Sequence, residues 1–317
     1  MTGTSALAAV DCGTNSTRLL VCGPAGDALA REMTITRLGE GVDATGLLRD
    51  DAMERTFAAL RRYRAVMDES GVAPGATRLV ATSAVRDAEN GESFLEGASG
   101  IIGAPAELLP GSEEGRLSYA GATGDLTPSG APVIVLDIGG GSTEFSTADG
   151  GAIASVSLDI GCVRLTERHL HGDPPTDAEV VSAVTAIAAQ LDGAVRAIPA
   201  LEDVGGGPRR LVGLAGTVST LASLELGLAE YDRARIHHAV LGLDAVTRWC
   251  DTLGAEPVAV RARHAGLPVG RQDVIFGGAL ILREVMVRFD LPQCVVSEAD
   301  ILDGLIMSLQ ERGAGLV

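Results

Sequence analysis

The feature that most constrains this chain is a segment that occurs twice. "AVDCGTNSTRLLV", starting at Ala9, and "VLDIGGGSTEFST", starting at Val135, align without a gap, so that Asp11, Gly13, Ser16 and Thr17 recur as Asp137, Gly139, Ser142 and Thr143. The two copies lie 126 residues apart, about one domain length. Each reads as an apolar strand ending in aspartate, a tight glycine turn and a second strand. Two copies at that spacing predict two related lobes, with the cleft between them as the default site. A chain of 317 residues, 46% of them hydrophobic, can bury two cores.

Alternating patterns predict strands at Ala8 to Asp11, Arg18 to Cys22, Arg78 to Thr82, Ala106 to Leu109, Val133 to Asp137, Thr143 to Thr147 and Arg210 to Leu214. Helices interleave with them. One follows Asp50, carries Met53, Phe57, Leu60 and Met67 on one face and ends at Gly71. Another starts at Thr176, where Thr176 and Glu179 form a capping box ahead of Val180, Val184, Ile187 and Leu191. This alternation is an α/β pattern. The segment Gly121 to Pro132 is dense in Gly, Pro, Ser and Thr and reads as the junction. It divides the chain into lobes 1–125 and 126–317, with a C-terminal helix near 302–317 able to pack back on the first. A second break, Leu201 to Pro208, links a helix to a strand within the second half.

In both copies the turn can present successive backbone N–H groups to one point, and such nests bind phosphate. At Gly139, Gly140 and Gly141 a side chain would block left-handed backbone conformations and the approach of phosphate oxygens. Asp11, Asp137 and Glu144 would then surround a phosphate with carboxylates, an arrangement that calls for a hard divalent cation between them. Taken singly, each copy is also an ordinary hairpin turn; the repetition favours the phosphate reading. Neither is a Walker A loop or a dinucleotide-binding loop, since GK[ST] and GxGxxG are absent there.

The net charge of −17 is the reverse of a nucleic-acid binder's. An anionic substrate must therefore be held by local devices. Five scattered cysteines, Cys12, Cys22, Cys162, Cys250 and Cys294, form no CxxC and suit a reducing, cytoplasmic setting. No signal peptide is expected, and the uncharged stretch Leu211 to Leu224 is too short to cross a membrane.

Other segments offer single groups. In "LLPGSEEGRLSYAG" a strand ends, Ser112 can cap a helix, and Glu113 and Glu114 occupy its first turn, where acids favour the helix dipole. One of the two can instead orient a water. Arg86 in "ATSAVRDAEN" and Arg164 in "SLDIGCVRLTER" suit anion binding, although each is equally a surface arginine. The turn at Gly216 and Thr217 can hold a further phosphate or nucleotide moiety, or simply connect strand to helix. His169 with His171, and His237 with His238, are read as solvated or capping histidines rather than metal ligands.

Together "DCGTNSTRLLV", "ATSAVRDA", "GSEEGRLSYAG", "VLDIGGGSTEF", "SLDIGCVRLTE", "GLAGTVSTLA", "RQDVIFGGALIL" and "VSEADILDGL" resemble, in order, the exopolyphosphatase and guanosine pentaphosphate phosphohydrolase (Ppx/GppA) family. The resemblance implies an actin/Hsp70/sugar-kinase-like α/β fold of two RNase H-like lobes. It implies that Glu114 is the catalytic glutamate, that Asp11, Asp137 and Glu144 are linked to Mg2+ (or Mn2+), and that Asn15, Ser16, Arg86, Gly140, Gly141 and Ser142 contact phosphate. Thr14 stands where the family usually has Ser and keeps the hydroxyl, and Gly115 stands where Ala is usual. The expected activity is release of orthophosphate from the end of inorganic polyphosphate, with short chains favoured. Hydrolysis of guanosine pentaphosphate, an ATP-dependent kinase activity and a non-catalytic polyphosphate sensor are the alternatives. The resemblance also implies a homodimer; no nucleic-acid or membrane partner is expected.

Overall fold

A computed structural model describes residues 6–127, 130–149, 151–202 and 209–314. Most of the expected break at Leu201 to Pro208 lies outside them. The first sheet contains β1 (Ala6–Cys12), β2 (Ser16–Cys22), β3 (Ala28–Ile35), β4 (Val72–Ala81) and β5 (Ala106–Leu108) in the order β3-β2-β1-β4-β5. The second contains β6 (Val133–Ile138), β7 (Thr143–Asp149), β8 (Ala152–Leu158), β9 (Arg210–Leu214), β10 (Val240–Gly242) and β11 (Gln293–Val296) in the order β8-β7-β6-β9-β11-β10. In each sheet the first three strands form an antiparallel meander and the next two run parallel to its first strand. The repeat in sequence is thus the most legible part of a repeat of whole sheets, with β10 added at one edge.

All the predicted strands are present; β3, β8, β10 and β11 are additional. β3 and β8 are edge strands whose residues are mostly half-exposed, so no clean apolar alternation marks them. β10 and β11 are only 3 and 4 residues long.

Two compact units result, one running to Gly121 and including Ile301 onward, the other Ala122–Asp300. In the first, side chains alternate across the sheet with the period of two that strands impose. Ala8, Val10, Leu19, Val21 and Leu79 face Leu60, Tyr63 and Met67 of helix Asp50–Glu69 and Phe94, Ala98 and Ile102 of helix Gly91–Ile102. Ala9, Leu20, Val80 and Leu109 face Leu302, Leu305 and Ile306 of helix Ile301–Ala314. That last helix lies so close to helix Gly111–Thr123 that a Cβ on Gly304 would overlap the Leu117 carbonyl. Arg31 on β3 also anchors its first turn, through Asp303 at 2.7 Å.

The second unit packs around Ile134, Leu136, Ile138 and Phe145, with Phe276, Leu280 and Met286 from helix Ile275–Arg288. Helix Asp177–Ala197 begins with the expected capping box between Thr176 and Glu179. By length and composition it is apolar enough to cross a membrane. Its buried stripe of Ala183, Ile187, Leu191 and Ala194 instead joins this core. Gly71 ends helix Asp50–Glu69 with φ 70°, as its sequence position suggested.

Two glycine substitutions should separate close packing from helix propensity. Gly304→Ala should destabilise the protein by about 1–3 kcal/mol through overpacking on Leu117. Gly100→Ala, on an exposed helix face with open space around it, should stabilise it by about 0.4–1 kcal/mol. Denaturant unfolding checks both, and equal effects would contradict the packing described.

Candidate active site

Both repeated segments fold into the same hairpin. Cys12 pairs with Thr17 and Asp11 with Arg18, as Ile138 pairs with Thr143 and Asp137 with Glu144. The turns close identically: the Gly13 amide donates to the Ser16 carbonyl and the Gly139 amide to the Ser142 carbonyl, each at 3.0 Å. Neither glycine has a positive φ, so the left-handed conformation expected of Gly139 is not its reason. A Cβ on either would sit only 3.0 Å from that carbonyl.

A second segment fastens each turn from behind. The Thr14 carbonyl accepts from the Gly39 amide at 2.8 Å, and the Asn15 carbonyl from those of Thr36 and Arg37 at 3.1 and 3.0 Å. In the other unit the Gly139 carbonyl accepts from Cys162 at 2.9 Å, and the Gly140 carbonyl from Val163 and Arg164 at 2.9 and 3.1 Å. A trans peptide directs its N–H opposite to its C=O. The amides of Asn15 and Ser16, and those of Gly140 and Gly141, therefore point away from the segments that hold them, which is the geometry of an anion nest. Gly39 and Gly161 are required because Cβ atoms there would overlap the Thr14 methyl and the Gly140 carbonyl. Buried hydroxyls brace the same contacts, Thr17 to Thr36 at 3.0 Å and Thr143 to the Ile160 carbonyl at 2.6 Å. Gly39 was not singled out in the sequence, and Gly161 stood there only as the glycine inside "SLDIGCVRLTER".

The copies differ in charge. Residues directly opposite on antiparallel strands share a sheet face. Asp11 accepts from Arg18 Nε at 3.1 Å and Nη2 at 2.6 Å, so its carboxylate has a cation supplied by the chain. The position equivalent to Arg18 is Glu144. There two acids, Asp137 and Glu144, both buried, stand opposite one another, with Ser157 Oγ donating to Glu144 Oε1 at 2.6 Å. Like charges so placed repel, and a hard, oxygen-only donor set of this kind suits Mg2+ or Mn2+. The residues present therefore fit the expected metal at Asp137 and Glu144, while Asp11 is engaged by Arg18.

The glutamate pair also divides. Helix Gly111–Thr123 starts one residue before Ser112, which is therefore inside its first turn and not its cap; the Pro110 carbonyl accepts from the Glu113 and Glu114 amides at 2.9 and 3.0 Å. Glu113 Oε1 accepts from Arg78 at 3.3 Å. Glu114, with its side chain 11% exposed, has Oε2 3.6 Å from Arg86 Nη1, and that same nitrogen donates to the Leu109 carbonyl at 2.8 Å. Arg86 thus lies beside the expected catalytic glutamate. Arg164 is buried and directs Nη1 to Asp159 at 3.2 Å, besides contributing its amide to the turn.

At the third glycine turn, helix Ala215–Glu225 begins directly after β9, so Gly216 and Thr217 lie in its first turn and not ahead of it, with Ala215 at φ 64°. The Arg271 guanidinium lies flat where a Gly216 side chain would be, and its Nη1 donates to Thr220 Oγ1 at 3.4 Å. His237 and His238 stack, with ring centroids 3.8 Å apart, and their Nε2 atoms lie 2.8 and 3.6 Å from Asp125. The Glu298 amide donates to His237 Nδ1 at 3.0 Å. This places the His237 proton on Nε2, toward Asp125, so in that tautomer His237 offers no Nε2 lone pair to a metal, although the three side chains lie close enough together to hold one. All five cysteines are buried free thiols. Burial, with the Asp11 charge added, pushes the Cys12 thiol well up, and burial likewise raises Cys162, so neither is an activated nucleophile.

Residues 25–312 match the Ppx/GppA phosphatase family. The chain belongs to that family. Exopolyphosphatase 2 of Mycobacterium tuberculosis is 43% identical, covering 96% of this chain and 98% of that protein. The crystal structure of an exopolyphosphatase-like protein matches with a TM-score of 0.90 and 33% identity over 98% of this chain and 100% of its own. The Aquifex aeolicus Ppx/GppA family member matches at 0.78 and 31%, over 97% and 98%. The chain is accordingly a hydrolase with the actin/Hsp70/sugar-kinase-like fold of this family.

The charge difference between the hairpins predicts opposite mutational effects on stability. Without divalent cations, Glu144→Gln should raise the melting temperature by about 1–3 °C by relieving the repulsion. Adding Mg2+ should stabilise the wild type and not this variant. Arg18→Gln should cost roughly 1–3 kcal/mol, because it removes the Nε and Nη2 donors that meet a buried carboxylate. Equal Mg2+ responses in wild type and Glu144→Gln would contradict the assignment of the acid pair.

Proposed function

We propose that the protein is an exopolyphosphatase that removes the terminal phosphate of inorganic polyphosphate by Mg2+-dependent hydrolysis. What carries the reading is the pair of equivalent hairpins whose outward amides suit phosphate oxygens, one of them followed by a cross-strand pair of acids. The name of the 43% identical mycobacterial relative supports the same substrate.

The residues divide the work as follows. The amides of Asn15, Ser16, Gly140 and Gly141, with the hydroxyls of Thr14, Ser16 and Ser142, hold phosphate oxygens, and Arg86 adds a charge-assisted donor. Glu114 takes a proton from water as its oxygen attacks the end phosphorus. The bridging P–O bond breaks, and the shortened chain leaves on the bridging oxygen as orthophosphate forms. A divalent cation held by Asp137 and Glu144, with Asp11 close to the first turn, supplies charge neutralisation when bound. Mn2+ meets the same donor chemistry. Because the net charge is −17, these local donors replace a basic track along a polyanion. Short chains and strong dependence on divalent cation follow. Five free buried thiols suit a cytoplasmic location.

Glu114→Ala should lower phosphate release by about 10²–10⁴-fold while leaving tripolyphosphate binding measurable by calorimetry. Near-normal turnover in that variant would remove Glu114 from the mechanism. Chelation should abolish release, and Mg2+ or Mn2+ should restore it. Guanosine pentaphosphate assayed at equal enzyme and metal should be the slower substrate, and the reverse order would reassign the substrate class.

A further inference from the structure

Arg78 is buried on β4, with its side chain 3% exposed, on the sheet face that packs against helix Ile301–Ala314. A buried guanidinium is tolerated only where its donors are met. Here they are met by three different elements. Nε and Nη2 donate to Glu107 on β5 at 3.2 and 2.6 Å, and Nη2 also reaches Glu113 Oε1 at 3.3 Å. Nη1 donates to Ser308 Oγ at 2.8 Å, and that hydroxyl passes its own proton to the Leu305 carbonyl at 2.6 Å. One side chain therefore ties together a strand end, the first turn of helix Gly111–Thr123 and the C-terminal helix.

Successive helical side chains are rotated by about 100°. With Glu113 drawn toward Arg78, Glu114 is turned toward Arg86, 3.6 Å away. We propose that Arg78, through Glu113, is a positioning residue for the hydrolysis: it sets the rotation of helix Gly111–Thr123 about its axis and so the place of the Glu114 carboxylate. A carboxylate about 5–6 Å from a helix axis moves by about 1 Å when the helix rolls by about 10°, and misplacement on that scale costs up to about 100-fold in rate. Arg78 touches no reacting group. Glu113 is then no spare catalytic acid but the handle by which its neighbour is held. This inference rests on the reading of Glu114 as the residue that activates water.

The test uses Arg78→Lys, which keeps a buried cation but cannot fork to three elements, and Glu113→Gln, a surface-side change that tests the same link without disturbing the buried site. With tripolyphosphate and Mg2+, Arg78→Lys should lower kcat by about 10–100-fold with KM within about twofold, and Glu113→Gln should lower kcat less. In a Glu114→Gln background, Arg78→Lys should cause no further loss, because its effect runs through Glu114. An unchanged kcat, or the same fold-loss in the Glu114→Gln background, would overturn the proposal. Hydrogen exchange of a peptide spanning residues 110–117 decides independently of activity: it should quicken in Arg78→Lys, and unchanged protection would overturn the proposal too. If the wild type released no phosphate from any polyphosphate, the hydrolytic reading would fail, and the exchange experiment would still decide whether Arg78 sets the helix.

Discussion

The geometry of both candidate phosphate sites depends on one kind of interaction, the capture of turn carbonyls by amides from a second segment behind each hairpin. Thr36 to Gly39 do this for Thr14 and Asn15, and Cys162 to Arg164 do it for Gly139 and Gly140. Because peptides are planar and trans, fastening the carbonyls also aims the amides. A glycine turn alone would leave those amides free to reorient, and an anion would have to order them on binding. Here the ordering is done at folding, by backbone hydrogen bonds braced by buried threonine hydroxyls. That is preorganisation of the kind that makes electrostatic stabilisation effective.

Duplication has then been modified where the chemistry requires it. The cross-strand position beside Asp11 holds Arg18 and that beside Asp137 holds Glu144. One substitution converts a self-neutralised pair into two adjacent carboxylates that suit an external cation. The first unit carries a different specialisation, a glutamate at the start of a helix whose rotation is held by a buried arginine. The two hairpins are thus alike in backbone and unlike in charge, and their functional differences reside in side chains at equivalent positions.

Much of this was legible in the sequence because it depends on local pattern. The gapless repeat announced both hairpins, and the alternation of Ala8, Val10, Leu19 and Val21 announced the strands that carry them. Less legible were features set by tertiary proximity. Gly39 and Gly161 look like ordinary loop glycines until the Thr14 methyl and the Gly140 carbonyl are found beside them. The positive φ expected for Gly139 is absent, and what a side chain there would crowd is the Ser142 carbonyl. Edge strands β3 and β8 escaped notice for want of a buried face. Arg78 carried no signal, since nothing local shows that Glu107, Glu113 and Ser308 converge on it. The pairing of His237 with Asp125 joins residues 112 positions apart, which spacing alone does not reveal.

In the proposed reaction water attacks the terminal phosphorus of a polyphosphate chain. Hydrolysis of tripolyphosphate in 18O-labelled water, followed by 31P NMR, tests it directly, because the bound isotope shifts the resonance of the phosphorus it joins. One labelled oxygen is expected in the released orthophosphate and none in the pyrophosphate formed beside it. Label in the pyrophosphate, or no hydrolysis with Mg2+ present, would contradict it.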